Sequence, residues 1–201
     1  VRWGIMGTAR IAEKISRAIQ DHPDAELVAI ASRDQIRARE WATKHQVPVA
    51  YGSYEALLAD TSLDALYIPL PPSLHAEWTI RALEIGRHVL CEKPLAEGSE
   101  AAGAMVAAAG QYHRLLMDGV MWRHHPRAAR MHQVLAAGEL GQLRRITSAF
   151  TIPGAALRPD DLRYRHELGG GSLLDLGWYC VGAALWATGK LPSRVWGTGR
   201  Y

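Results

Sequence analysis

The sequence predicts an α/β protein: a doubly wound parallel sheet, followed by the start of an α+β, mostly antiparallel sheet domain that is incomplete. Three observations carry that expectation. Short apolar runs alternate with helix-length segments from residue 2 to about residue 121. A small-residue turn, G-x-A-x-x-A at 7–12, joins the first run to the first helix. Beyond 121 the alternation stops and longer, more polar segments take over. The expected domains are therefore 1–121 and 122–201.

Taken in order, RWGIM at 2–6 is a short buried strand, and the helix after the turn runs to about Gln20. In the turn, Gly7 suits a tight bend. Ala9 and Ala12 keep the second and third motif positions small, so that a pyrophosphate and the strand can come close. ELVAIAS at 26–32 is the second strand, and Asp34 is placed to cap a helix reaching about His45. A short strand at 49–51, a helix at 54–59 and a strand at 65–69 follow. Ser73 is expected to cap a helix to about Ile85. A strand at 88–91, an alanine-rich helix at 100–112 and a strand at 115–120 complete the sheet. After it come a helix at 126–137, a strand-like stretch at 143–152, an irregular segment at 153–167 and a last strand-like stretch at 193–199. The apolar segment 168–186 reads as a helix led by three glycines.

Composition narrows the chemistry. Hydrophobic content of 48% with 21% charged residues is that of an ordinary globular protein of 201 residues. The net charge of +3 comes from scattered basic residues, so neither nucleic acid nor a membrane is an expected partner. No apolar run reaches the length of a membrane span. Two cysteines make no framework and point to a reducing compartment, the cytoplasm. The nine histidines include no H-E-x-x-H and no spacing matched to cysteines, so no metal site is expected.

Ligands on such sheets lie outside the carboxyl ends of the strands. At the end of the second strand stand Ser32 and Arg33, with Arg37 one helical turn on. A hydroxyl and a planar guanidinium suit a 2′-phosphate, which favours NADP over NAD, although Asp34 complicates the choice. Leu70, Pro71 and His75 fall at the next strand end, where His75 reads as a packing residue at a helix start rather than a catalyst. Glu92-Lys93-Pro94 is sharper, because the proline disfavours helix at Lys93 and presents the lysine from a rigid strand end. A lysine there can hold a substrate hydroxyl and lower the pKa of a neighbouring phenol.

In the segment 168–186 the side chains suited to proton chemistry are Asp175 and Tyr179, four apart and so on one helix face. Ser172 and Asp175 also fit a capping box, S-x-x-D, so the acid has a structural reading beside the functional one.

With these residues assembled, the chain resembles the Gfo/Idh/MocA oxidoreductases, the family of glucose–fructose oxidoreductase and the inositol dehydrogenases. The carrying motifs are GIMGTARIA at 4–12, HVLCEKPLA at 88–96, MWRHHP at 121–126 and GGGSLLDLGWYCV at 169–181. Tyr179, where many members carry histidine, is similar to the branch with xylose dehydrogenase and dimeric dihydrodiol dehydrogenase. The resemblance implies a Rossmann domain with NADP, or NAD, at its junction with the second domain. It implies reversible hydride transfer to or from a sugar or related cyclic polyol, in a homo-oligomer when full length. Lys93, Asp175 and Tyr179 would be catalytic, and with Arg163 they would bind substrate. Cofactor contacts are expected from Gly7, Thr8, Ala9, Arg10, Ile11, Ser32, Arg33, Arg37, Leu70, Pro71, His75, Glu92, Lys93 and Arg123. Pro72 stands where members often carry asparagine, and the chain is expected to be truncated at its C-terminal end. A non-catalytic dinucleotide sensor, or an inactive fragment of the enzyme, is the alternative.

Overall fold

Six parallel strands form one sheet in the order β3-β2-β1-β4-β5-β6. The computed structural model describes residues 1–153, 158 and 160–199. The strands are β1 (Arg2–Met6), β2 (Glu26–Ala31), β3 (Val49–Tyr51), β4 (Ala65–Ile68), β5 (His88–Cys91) and β6 (Leu116–Asp118). Between them run α1 (Ala12–Gln20), α2 (Gln35–His45), α3 (Tyr54–Leu58), α4 (Pro72–Glu84) and α5 (Ser99–Gln111).

Buried strand residues build two cores, one on each face, and a register shift between β1 and β2 breaks the strict alternation at Val28. Ile5, Leu27, Ile30 and Tyr67 pack on one side with Ala12 and Ile19 of α1 and Trp41 of α2. Met6, Val28, Leu66 and Ile68 point the other way, onto Leu57, Trp78, Leu83 and Met105 from α3, α4 and α5. Burial on both faces is why these strands read as continuous apolar runs rather than as alternating ones. The chain crosses from one face to the other between β3 and β4. This leaves a crevice at the carboxyl ends of β1 and β4, where such sheets take their ligands.

Two helix starts test the capping expectations. Asp34 caps α2 as expected, its Oδ1 accepting the Ile36 and Arg37 amides at 2.8 and 3.2 Å. Ser73 does not cap α4. The helix begins two residues earlier than that cap implies, with Pro72 as its first residue after Pro71. Proline suits that position because its missing N–H is not needed there.

After β6 the described residues make a 3-10 turn (Met121–His124), α6 (Pro126–Ala136), 3-10 turns at Leu162–Tyr164 and His166–Leu168, and a π-helical turn (Leu173–Gly177) leading into α7 (Trp178–Thr188). The Trp186 ring of α7 packs edge-on to Trp122 at 5.3 Å and lies 5.6 Å from His132 of α6. The stretches 143–152 and 193–199, expected as strands, pair with nothing among the described residues. Their apolar side chains are exposed, as at Phe150, Val195 and Trp196. A strand needs a neighbour to take its amides and carbonyls, and without one the β-prone sequence stays irregular. Among the described residues no helix is long and apolar enough to cross a membrane.

At Gly4, in the middle of β1, a Cβ would stand 2.8 to 3.1 Å from the methyl groups of Leu63, Leu66 and Leu57. Gly4→Val should therefore lower the unfolding free energy by ~1–3 kcal/mol through overpacking. Urea denaturation checks this, and an unchanged midpoint would contradict it.

Candidate active site

The crevice holds a cavity of about 550 Å3 lined by the ends of three strands. The turn after β1 gives Gly7, Thr8 and Ala9, the turn after β2 with the first turn of α2 gives Ser32, Arg33, Asp34 and Arg37, and the turn after β4 gives Pro69, Leu70 and Pro71. Tyr54 enters from the start of α3. Gly7 is required twice over: its φ is +114°, and a Cβ would lie 2.9 Å from Leu70 Cδ2. Its amide is tied to the Ala31 carbonyl at 2.8 Å, which fixes the turn on the sheet. The amides of Thr8, Ala9, Arg10 and Ile11 take no acceptor within the protein among the described residues. Unbonded amides at the start of a helix are a site for an anion such as a pyrophosphate.

At the other end of the cavity the Arg33 and Arg37 side chains are exposed, beside the buried Tyr54 phenol. Burial pushes that phenol up, and the two guanidinium groups pull the other way. Asp34 directs its carboxylate oxygen into the α2 amides, and Ser32 Oγ accepts the Asp34 amide at 3.2 Å. This donor set fits a dinucleotide with its pyrophosphate on the α1 turn and its adenosine ribose toward the arginines. Tyr54 was missed in the sequence; its one signal is that it follows β3, at another carboxyl end.

A second constellation forms where the 168–186 segment meets the end of β5. Lys93 Nζ donates to Asp175 Oδ1 at 2.8 Å and to the Asp175 carbonyl at 3.2 Å. It also lies 5.1 Å from the centre of the Tyr179 ring. Arg163 Nε takes the other Asp175 oxygen, and its Nη1 spans both oxygens of Asp161 at 3.0 and 3.2 Å. Burial pushes the Asp175 carboxyl up. The hydrogen bonds and charges of Lys93 and Arg163 outweigh it and hold the carboxyl below its ordinary value.

The capping box is absent. Ser172 is already helical and makes no side-chain cap bond, and Asp175 spends both oxygens on cations. A carboxylate between two cations gains more than one serving a helix end. The Tyr179 phenol, expected to be lowered by the lysine, is instead raised, by burial first and then by the Glu92 and Asp175 charges. Paired with Asp175, Lys93 does not bring the neutral phenol below its ordinary value.

Other expected contacts are placed differently. His75 is fully buried, with Nδ1 2.8 Å from the Pro94 carbonyl oxygen and Nε2 2.7 Å from that of Leu70. Burial pushes its imidazole below the ordinary value. It straps the β4 and β5 ends together from beneath and does not line the cavity. Glu92 is buried too, its Oε1 accepting the Tyr67 hydroxyl at 2.7 Å and its Oε2 the Lys93 amide at 3.2 Å. Arg123 stacks near Trp122 and lines a separate cavity of about 400 Å3 with Met117 and Asp118, along the β6 edge. Arg10 and Ile11 sit in the α1 turn without lining the cavity, and their amides take no acceptor among the described residues.

A parallel sheet in this order, with a bare helix N-terminus at its switch point, is a dinucleotide-binding fold. Comparison with known proteins gives the family. The description "Oxidoreductase family, NAD-binding Rossmann fold" (GFO_IDH_MocA) matches residues 1–120, and "GFO/IDH/MocA C-terminal domain" matches 128–201. The chain belongs to the Gfo/Idh/MocA oxidoreductases. It is 44% identical to D-xylose 1-dehydrogenase (NADP(+)) 2 of Haloferax volcanii over 98% of this chain and 59% of that protein. It is 41% identical to dTDP-3,4-didehydro-2,6-dideoxy-alpha-D-glucose 3-reductase of Saccharopolyspora spinosa, over 92% of this chain and 55% of that one. Among solved structures, KijD10, a 3-ketoreductase from Actinomadura kijaniata in complex with NADP and TDP-benzene, superposes with a TM-score of 0.87. That match has 39% identity and covers 94% of this chain and 57% of that one. The chain thus spans little more than half the length of these relatives.

Tyr67→Phe removes the hydroxyl that Glu92 accepts in a buried setting. Leaving that carboxylate short of a donor should cost ~1–3 kcal/mol of stability in chemical denaturation. A variant as stable as the parent would show that the bond contributes nothing.

Proposed function

We propose that the chain is the cofactor-binding and catalytic part of an NADP-dependent oxidoreductase acting on a carbon that bears a hydroxyl or carbonyl, in a sugar or related cyclic polyol. The observation that carries this is the meeting of Lys93 with Asp175 and Tyr179 at the end of β5. The relatives support the cofactor and the substrate class, since one is named an NADP(+)-dependent xylose dehydrogenase and another acts on a nucleotide-linked sugar.

The bound nicotinamide would supply or accept the hydride. The chain's own residues handle the proton. In the reducing direction the Tyr179 phenol, held protonated by burial and nearby carboxylates, gives its proton to the carbonyl oxygen as that oxygen gains charge. Lys93, already beside the ring, then faces the phenolate and steadies it. In the oxidising direction the phenol first gives up its proton, and the phenolate so formed takes the hydroxyl proton. Asp175 holds Lys93 in place and offers oxygens to substrate hydroxyls. Arg33 and Arg37 meet the 2′-phosphate and so set the preference for NADP.

NADPH oxidation against a panel of sugars and polyols, with NADPH and NADH binding measured alongside, tests the proposal. Lys93→Ala and Tyr179→Phe should each lower kcat/KM by about 10²- to 10⁴-fold with NADPH binding retained. Arg33→Ala should weaken NADPH binding and leave NADH binding unchanged. Tight NADPH binding with no turnover of any substrate would favour a dinucleotide sensor instead.

A further inference from the structure

The glycine run at 169–171 and the turn at 162–165 are built against each other, and the proposed mechanism uses neither. A Cβ on Gly170 would stand 2.5 Å from the Leu162 carbonyl oxygen, 2.7 Å from that of Arg165 and 2.9 Å from that of Arg163. Only glycine fits beneath three carbonyls. The Gly170 amide donates to the Arg165 carbonyl at 3.0 Å and the Gly171 amide to the Arg163 carbonyl at 2.9 Å. Gly171 in turn accepts the Asp175 amide at 3.2 Å. The backbone of Arg163 is therefore pinned to the turn that carries Asp175.

The side chains repeat the arrangement. Asp161 Oδ1 accepts the Arg163 amide at 3.0 Å, and both Asp161 oxygens accept Arg163 Nη1. Arg163 Nε then reaches Asp175 Oδ2, leaving Oδ1 to Lys93. The Arg163, Asp161 and Asp175 side chains are 32%, 22% and 16% exposed, sheltered enough for the charges to act strongly on one another.

We infer that Arg163 is a positioning residue rather than a substrate contact: anchored by Asp161, it fixes the Asp175 carboxylate so that one oxygen always faces Lys93. The inference rests on the proposed function, because its consequence is read in that reaction. The charged and titratable groups facing Asp175 are Lys93 from the β5 end, Arg163 and Asp161 from the turn, and Tyr179 in the following helix. With Arg163 in place the carboxyl lies below its ordinary value. Without it, Asp175 protonates at higher pH and Lys93 loses its partner earlier on acidification.

Two readouts test this. One is the 13C-detected titration of the Asp175 carboxyl. The other is the pH profile of kcat/KM for NADPH oxidation, each in the parent protein, Arg163→Gln, Arg163→Lys and Asp161→Asn. In Arg163→Gln the carboxyl titration and the acid limb should both move up by about one pH unit or more. Arg163→Lys should restore part of the shift, and Asp161→Asn should give a smaller shift in the same direction. NADPH binding should stay within about twofold of the parent, far below the tenfold that one 1.4 kcal/mol contact represents. An Asp175 titration unmoved in Arg163→Gln overturns the inference, as does a loss of NADPH binding in step with kcat. Should Arg163→Gln fail to fold, Asp161→Asn carries the same test, and an unmoved titration there overturns it. A parent protein that turns over no substrate refutes the proposed function, and the carboxyl titration still decides the role of Arg163.

Discussion

The ion pair between Lys93 and Asp175 is the constraint on which the site depends. Its partners lie 82 residues apart, one at the end of a sheet strand and the other in a π-helical turn of the following segment. Both side chains are largely removed from water, at 17% and 16% exposure. Two charges in such a place are tolerable only if each is met by the other and by further donors or acceptors. Asp175 has a second cation in Arg163, and Lys93 has the Asp175 carbonyl and the face of Tyr179. The pair brings the phenol to the carboxyl end of the sheet, beside the end of β5.

The sheet places the rest. With β1 and β4 adjacent at the switch point, Gly7 and the Leu70–Pro71 corner face each other across the crevice, and His75 and Glu92 brace the strand ends from inside. These two buried polar residues do not line the crevice cavity; they bond the chain on either side of Lys93. The cofactor cavity is accordingly made of backbone amides and small residues at one end and arginines at the other. Its shape follows from strand order rather than from any single motif.

Much of this was legible in the chain, because much of it is local. The alternation of strands and helices, the Gly7 turn and the Asp34 cap depend on neighbours within a few residues, and all three appear where expected. Lys93, Asp175 and Tyr179 were also singled out, and the fold brings them together. What escaped depends on distant partners. The S-x-x-D pattern at Ser172 fits a capping box beside the functional reading of Asp175, because nothing local reveals that Asp175 meets two cations. Arg163 is expected to bind substrate, and nothing local shows that it also bonds Asp175, twelve residues on. The segments 143–152 and 193–199 have strand composition, but pairing is a property of a neighbour and not of the stretch itself.

A double-mutant cycle with Lys93→Met and Asp175→Asn, read by urea denaturation, tests the central claim most directly. If the pair joins the two parts of the site, the single changes should be non-additive, with a coupling of about 1 kcal/mol or more. Additive losses would mean that the two side chains lie close without holding each other, and the account of the site would fail.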